Sequence, residues 1–175
     1  MMKQHGFTLI ELMVTISIAA ILLTVGAPSF STMMQNNRIA THTNTFISSM
    51  HLARSEAVKR SMRVTMCPTT NGTSCANSND WTTGWLVFTD NSGTIGTFDP
   101  ADVLLRAQEA FKDDTTLTSN VAADTTIGFL ASGFLSKGAA LNLTLARPGC
   151  TGMRQQRNIR VNATGQIRMA VATCP

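Results

Sequence analysis

The sequence predicts an α+β protein in which one long N-terminal helix packs on an antiparallel β-sheet domain. Three observations predict it. An apolar run over residues 7–27 is followed, past a proline, by apolar residues at helical spacing up to about residue 60. Beyond Arg63 the pattern changes to short apolar runs punctuated by Gly, Asn, Asp and Ser, the mark of strands and turns. No second helix of useful length follows. With 175 residues and 43% hydrophobic side chains, the chain holds one ordinary domain with a real core, which excludes wholesale disorder.

The helix comes first. Within residues 7–27 the one ionisable group is Glu11. About 20 apolar residues cross a bilayer core as a helix, so the run is long enough to span. A conventional secretory signal is the competing reading, with Val25-Gly26-Ala27 as its cleavage site. Pro28 would then follow the cut, and Glu11 would interrupt a normally uniform apolar region. A carboxylate inside a membrane helix costs about 2.5–3.5 kcal/mol and marks a functional position. Something must offset Glu11. Pro28 ends the run and removes one helical hydrogen bond. Beyond it Ile39, Thr43, Phe46, Met50, Ala53 and Ala57 form one stripe, with Arg54, Lys59 and Arg60 off it. Glu56 stands four residues before Arg60, a helix-supporting pair. His42, His51, Met33 and Met34 read as packing or solvated surface.

Strands are expected around residues 64–66, 85–88, 103–105, 127–129, 141–145, 159–161 and 167–169. Ala163-Thr164-Gly165 makes a three-residue hairpin loop between the last two, with Gly165 in the left-handed position. That register sets Asn162 against Gln166 and Arg160 against Arg168. The apolar residues of both runs can then face a core while the arginines face water.

Cysteine and charge usage bound the function. Cys67, Cys75, Cys150 and Cys174 form no Cys-x-x-Cys, and no clustered His accompanies them, so zinc and thioredoxin-type chemistry are not indicated. An even count at wide spacing fits an oxidising compartment. Three pairings are possible, and the local ones, Cys67–Cys75 and Cys150–Cys174, are the natural expectation. Residues 29–79 carry five basic and one acidic side chain, and 80–124 two basic and eight acidic. Residues 125–175 carry six basic side chains and no acid: Lys137, Arg147, Arg154, Arg157, Arg160 and Arg168. A polyanion would be drawn to that last third. No catalytic constellation, metal site or cofactor motif stands out. Asp113 and Asp114 are adjacent and would face opposite ways in an extended segment, and the loop at Asp90, Asn91, Ser92 and Asp99 lacks calcium-loop spacing.

Gly6-Phe7-Thr8-Leu9-Ile10-Glu11-Leu12 resembles the class III signal of type IV pilins and type II secretion pseudopilins. The resemblance implies cleavage after Gly6 by a prepilin peptidase and N-methylation of Phe7. It also supplies the partner that Glu11 lacks, the new α-amine of a neighbouring subunit. The division it implies is a leader at 1–6, a transmembrane and filament-core helix at 7–28, and a soluble domain at 29–175. Within that domain Ala53–Arg60, Cys67-Pro68, Trp81–Asp90, Phe98-Asp99-Pro100, 103–106, Phe129 with Gly133, and Gly165-Gln166-Ile167-Arg168 resemble the GspH/FimT subgroup.

The resemblance implies a minor pilin of a type IV pilus, not an enzyme. Its partners would be other pilin subunits, and it would sit as a single-pass protein of the inner membrane with its soluble domain in the periplasm. FimT-like minor pilins that bind DNA in natural transformation carry a C-terminal Gly-Arg-x-Arg. Here Gln166 replaces the first Arg, leaving Arg160 and Arg168, with Arg154 and Arg157, as the expected phosphate-contacting set, aided by Gln166. No aromatic accompanies them, so binding would be electrostatic and independent of sequence. The alternative is a minor pseudopilin of type II secretion with no role on DNA.

Overall fold

The structure, a computed structural model, describes residues 6–91, 93–120 and 125–175, without the side chains of 25–29. Leader residues 1–5, Ser92 and the side chains of 25–29 lie outside the described residues. One helix, α1 (Leu9–Arg60), precedes β1 (Val64–Pro68), β2 (Gly84–Thr89), β3 (Leu104–Glu109), β4 (Thr116–Ser119), β5 (Ile127–Phe129), β6 (Leu141–Ala146), β7 (Gln156–Val161) and β8 (Ile167–Ala172). This is the α+β arrangement the periodicity predicts.

The chain falls into two compact units, Met1–Arg38 and Ile39–Pro175. In the first, every described side chain of residues 6–24 is exposed, most of them large and apolar. Among the described residues no helix is long and apolar enough to cross a membrane. The described part of the apolar run stops at Thr24, short of the roughly 20 residues a span takes.

In the second unit Ile39, Thr43, Phe46, Met50, Ala53 and Ala57 are all buried, as their spacing predicts. Thr43 sits on this greasy stripe because its hydroxyl donates back to the Ile39 carbonyl at 2.7 Å, leaving no unpaired polar group. Two antiparallel four-stranded sheets share one core with the stripe. The first runs β3-β2-β1-β5 and the second β4-β6-β7-β8. Val64, Met66, Trp85, Val87 and Phe129 enter the core from one sheet, and Leu117, Leu143, Leu145, Ile159 and Val161 from the other. At the centre Phe46 lies edge-on to both Trp81 and Trp85, with centroids 5.4 and 5.1 Å away.

The two sheets are covered differently. Cys67, Leu86 and Phe88 form a second small cluster with Cys75 and Phe98, so β1 and β2 are buried on both faces. Their sequences are correspondingly near-continuous apolar runs. β6 and β7 alternate between buried and exposed, the pattern of a sheet with one solvated face. Both local disulfides are formed, Cys67–Cys75 and Cys150–Cys174, with Cα–Cα separations of 5.5 and 5.7 Å.

Some elements exceed the sequence expectation. β4, Thr-Leu-Thr-Ser, is too short for its alternation to register. β3 runs on to Glu109 through Arg106 and Gln108, polar residues that an edge strand tolerates. His42 stacks on Phe111 at 4.0 Å and shares a 3.0 Å hydrogen bond with Asp113. Burial raises the Asp113 pKa, but the hydrogen bonds with His42 and Thr115 outweigh it and hold the carboxyl below its usual range.

Phe46→Ala should remove the pivot between both tryptophans and destabilise the protein by about 3–5 kcal/mol. Chemical denaturation of the full chain in detergent measures this; a loss below about 1 kcal/mol would place the core's centre elsewhere.

Candidate functional site

Two places on the chain concentrate chemistry that packing does not explain. The first is the start of α1. Thr8 precedes the helix, and its N–H and hydroxyl both donate to Glu11 Oε2 at 2.9 Å, while Glu11 N–H is 3.3 Å from Thr8 Oγ1. This is a reciprocal capping box, Thr-x-x-Glu, which satisfies two otherwise orphaned donors of the first turn. The spacing was legible in Thr8-Leu9-Ile10-Glu11, but the apolar context directs attention to what Glu11 lacks. Glu11 Oε1 makes no hydrogen bond among the described residues. Gly6 and Phe7 precede the helix, with Phe7 exposed.

The second place is the β7–β8 hairpin. Its turn forms as its glycine predicts: Gly165 N–H donates to Asn162 O at 2.8 Å, and Asn162 N–H to Gln166 O at 2.9 Å. Gly165 has φ +76°, and a Cβ there would lie 2.0 Å from the Gly133 carbonyl oxygen. That close approach leaves room for Arg54 of α1. Its Nε donates to Gly133 O at 3.0 Å and its Nη2 to Thr164 O at 3.2 Å. Leu135 N–H adds a bond to Ala163 O at 2.9 Å. At the other end the Cys150–Cys174 bridge closes the loop before β7 onto the segment after β8, and Cys174 N–H donates to Met153 O at 2.9 Å. Closing a loop of this size stabilises by about 3 kcal/mol on the chain-entropy account. The strand pair is thus fixed at both ends.

On this frame Arg160 pairs directly with Arg168, and Asn142 of β6 stands opposite Arg160 on the other side. The three side chains form one exposed cross-strand row, Asn142–Arg160–Arg168. Neither arginine has a hydrogen bond or ion pair among the described residues. Elsewhere Arg60 pairs with Glu56 at 2.5 Å and Arg147 with Asp114 at 3.0 Å. Like charges placed opposite each other on a sheet are mildly unfavourable until an anion sits between them. Gln166 is exposed at the turn end of the row, its Oε1 3.5 Å from Asn162 Nδ2.

The pleat divides the expected arginine set. Arg157 is three residues from Arg160 and so points to the opposite face, opposite buried Leu145 on one side and Val171 on the other. Its Nη1 donates to the Arg154 and Gln156 carbonyls at 3.2 and 3.1 Å. Burial, then the charge of Arg154, lower its pKa. Arg157 therefore does not extend the Arg160–Arg168 row, and Arg154 lies in the loop before β7. Asn142 and Arg54 were not anticipated. Asn142 needs the β6–β7 register to be seen, and Arg54 needs a contact 110 residues away in sequence. Among the described residues no group of His, Cys, Asp or Glu is placed to hold a metal ion.

Comparison with known proteins places these features. The family model for the type II transport protein GspH matches residues 42–165, and the prokaryotic N-terminal methylation motif matches residues 1–27. The fold is similar to that of the type IV minor pilin FimU of Pseudomonas aeruginosa. One crystal form gives 19% identity over 79% of this chain and 91% of that one, with a TM-score of 0.53. A second gives 20% identity over 81% and 92%, with a TM-score of 0.58. The minor pseudopilin EpsH from the Type 2 Secretion System of Vibrio cholerae is also similar, at 13% identity over 77% of this chain and 97% of that one, with a TM-score of 0.54. At these identities the likeness is one of fold. No curated protein matches the chain.

Gly165→Ala should force a side chain into left-handed backbone and onto the Gly133 carbonyl, destabilising by at least about 1–2 kcal/mol. Limited proteolysis of the full chain should then cut first within the β7–β8 hairpin. Unchanged stability and protection would show that the turn is not held as described.

Proposed function

The chain belongs to the GspH family of type II transport proteins and carries the N-terminal methylation motif, and from that premise we propose that it is a minor pilin of a type IV pilus. In this reading prepilin peptidase cuts after Gly6 and Phe7 is methylated. The N-terminal helix holds the protein in the inner membrane, with the folded domain in the periplasm, until a filament takes it up. The observation that carries the filament-subunit part of this reading, common to pilins and pseudopilins, is Glu11. Thr8 engages one carboxylate oxygen and leaves Oε1 available. The α-amine released at Phe7 of an adjoining subunit is the natural counter-charge, and it would offset the cost of an apolar environment. No catalytic step is assigned to the protein, and no cofactor.

The Arg160–Arg168 row supports a second role for this pilin, sequence-independent contact with DNA phosphates during natural transformation. Two exposed guanidiniums without partners among the described residues, on a strand pair fixed at both ends, are prepared to bind a polyanion with little ordering cost. Gln166 lies at the turn end of this row, and Arg154 stands in the loop before β7, next to Arg157. The competing reading is a minor pseudopilin of type II secretion, contacting exported proteins without a DNA role. The description of the matching family and the likeness to EpsH favour it.

Three measurements test these readings. Intact-mass spectrometry of the protein from its own host should find a chain starting at methylated Phe7, and a chain starting at Met1 or Pro28 sinks the pilin reading. Glu11→Ala should still reach the membrane but be scarce in sheared filaments. Titration of the detergent-solubilised chain against short duplexes should show Arg168→Ala weakening all sequences alike and flattening the log–log salt slope by about 0.9, one phosphate contact. Arg157→Ala and Arg106→Ala should leave that slope unchanged. Binding indifferent to both Arg160 and Arg168 removes the DNA role and leaves a purely structural minor pilin, with the pseudopilin alternative still to be separated from it.

A further inference from the structure

The first sheet ends in two opposed charges that do not meet. Val64↔Thr89 is the last ladder pair of β1 and β2. One position beyond it, Asp90 N–H donates to Arg63 O at 2.9 Å. Residues opposed across two strands carry their side chains on the same face, where opposite charges ordinarily pair. Arg63 and Asp90 form no ion pair among the described residues. Asp90 is only 2% exposed. Its Oδ2 accepts from Thr65 Oγ1 and from Gly96 N–H, the latter at 3.0 Å. Its Oδ1 is shielded from solvent and has no hydrogen-bond donor, and Arg63 Nε is likewise shielded and without an acceptor. Unsatisfied groups of this kind cost stability, and each calls for an explanation.

Both residues line one cleft of about 590 Å³, within the roughly 300–1,000 Å³ of ligand sites. Three connections frame it. Met62 belongs to the turn between α1 and β1, Ile95 to the β2–β3 loop, and Leu130 to the segment after β5. Ile95 is 67% exposed. The cleft shares no residue with the Arg160–Arg168 row or with the start of α1.

The chemistry of the cleft selects its occupant. Arg63 and Asp90 have opposite signs, so a net charge drawn to one would be repelled by the other. An ammonium needs several acceptors where Asp90 has one oxygen left, and burying it underpaired is costly. A hydroxyl donates and accepts at a single atom and does not span two groups that stand apart. Among the described lining residues none is aromatic, so a nucleobase finds no stacking surface. A neutral amide meets every condition, because its rigid plane holds donor and acceptor on separate atoms. We infer that this cleft binds an uncharged peptide group of a partner protein. Its N–H donates to Asp90 Oδ1, its carbonyl accepts from the Arg63 guanidinium, and flanking apolar side chains rest on Met62 and Ile95. For the N–H to reach Oδ1 the exposed wall at Asn91 yields slightly. The inference is independent of the filament and DNA readings, and neither of their tests bears on it.

The experiment titrates the ¹⁵N-labelled full chain in detergent micelles with N-acetylalaninamide, a peptide unit with neutral ends. Saturable shifts in the millimolar range are expected at the backbone amides of Arg63, Asn91 and Gly96. Alanine, alaninamide and N-acetylalanine are its zwitterionic, cationic and anionic counterparts. Each should bind at least about fivefold more weakly, the weight of one net hydrogen bond. Asp90→Asn keeps an oxygen for Thr65 and Gly96 but sets a second donor against the probe. Binding should then be lost while the Gly96 signal persists. Arg63→Gln should weaken binding by about fivefold, and it carries the comparison if Asp90→Asn does not fold. Arg160→Ala should leave binding unchanged. No saturable shift, equal binding of N-acetylalanine, or binding unmoved by Asp90→Asn and Arg63→Gln overturns the inference.

Discussion

Everything in the folded unit depends on one face of one helix. Ile39, Phe46, Met50, Ala53 and Ala57 are the surface on which two separate sheets close, and neither sheet buries its inner face without it. The small residues matter as much as the large. Ala53 and Ala57 are fully buried near the C-terminal end of α1, while Phe46 packs edge-on against both Trp81 and Trp85. Arg54, one position off that stripe, converts the same helix into a hydrogen-bonding scaffold for the hairpin that carries the candidate anion site. Packing and site geometry therefore share a single rigid element, which is how a surface feature can be held without a core of its own.

What was legible in the sequence follows physical range. The helix stripe, the change of period near Arg63 and the hairpin register around Gly165 are local patterns, and the structure has each of them. The disulfides follow from short sequence separation. The capping role of Thr8 is equally local, yet it hides behind the larger question of a carboxylate in an apolar helix. The facing of Arg157 could be read from parity alone, because residues 157 and 160 on one strand cannot share a face. Less accessible are features made by distant segments meeting. The Asn142–Arg160–Arg168 row needs a β6–β7 register that no turn motif announces. Gly133 and Gly165 look like ordinary turn glycines until their backbones are seen to touch across 32 positions of sequence.

The charge blocks carry a related lesson. A net charge of +4 describes the protein poorly, since its acids and bases are sorted along the chain and then sorted again by the fold. Several acids are spent internally: Asp113 on His42, Asp114 on Arg147, Asp90 on Thr65 and the Gly96 amide. Arg160 and Arg168 on the C-terminal strands have no such outlet among the described residues. Uncompensated positive charge thus gathers on the outer face of one sheet.

The unequal covering of the two sheets has an evolutionary consequence. Nearly every residue of β1 and β2 is wedged between two layers, so substitutions there are constrained from both sides. The outer face of the β6–β7–β8 strands bears Asn142, Thr144, Asn158, Arg160, Arg168 and Ala170, none of which holds the core together. Mutations can accumulate on that face at little thermodynamic risk. A lineage could therefore gain, weaken or lose affinity for a ligand there while its subunits continue to fold.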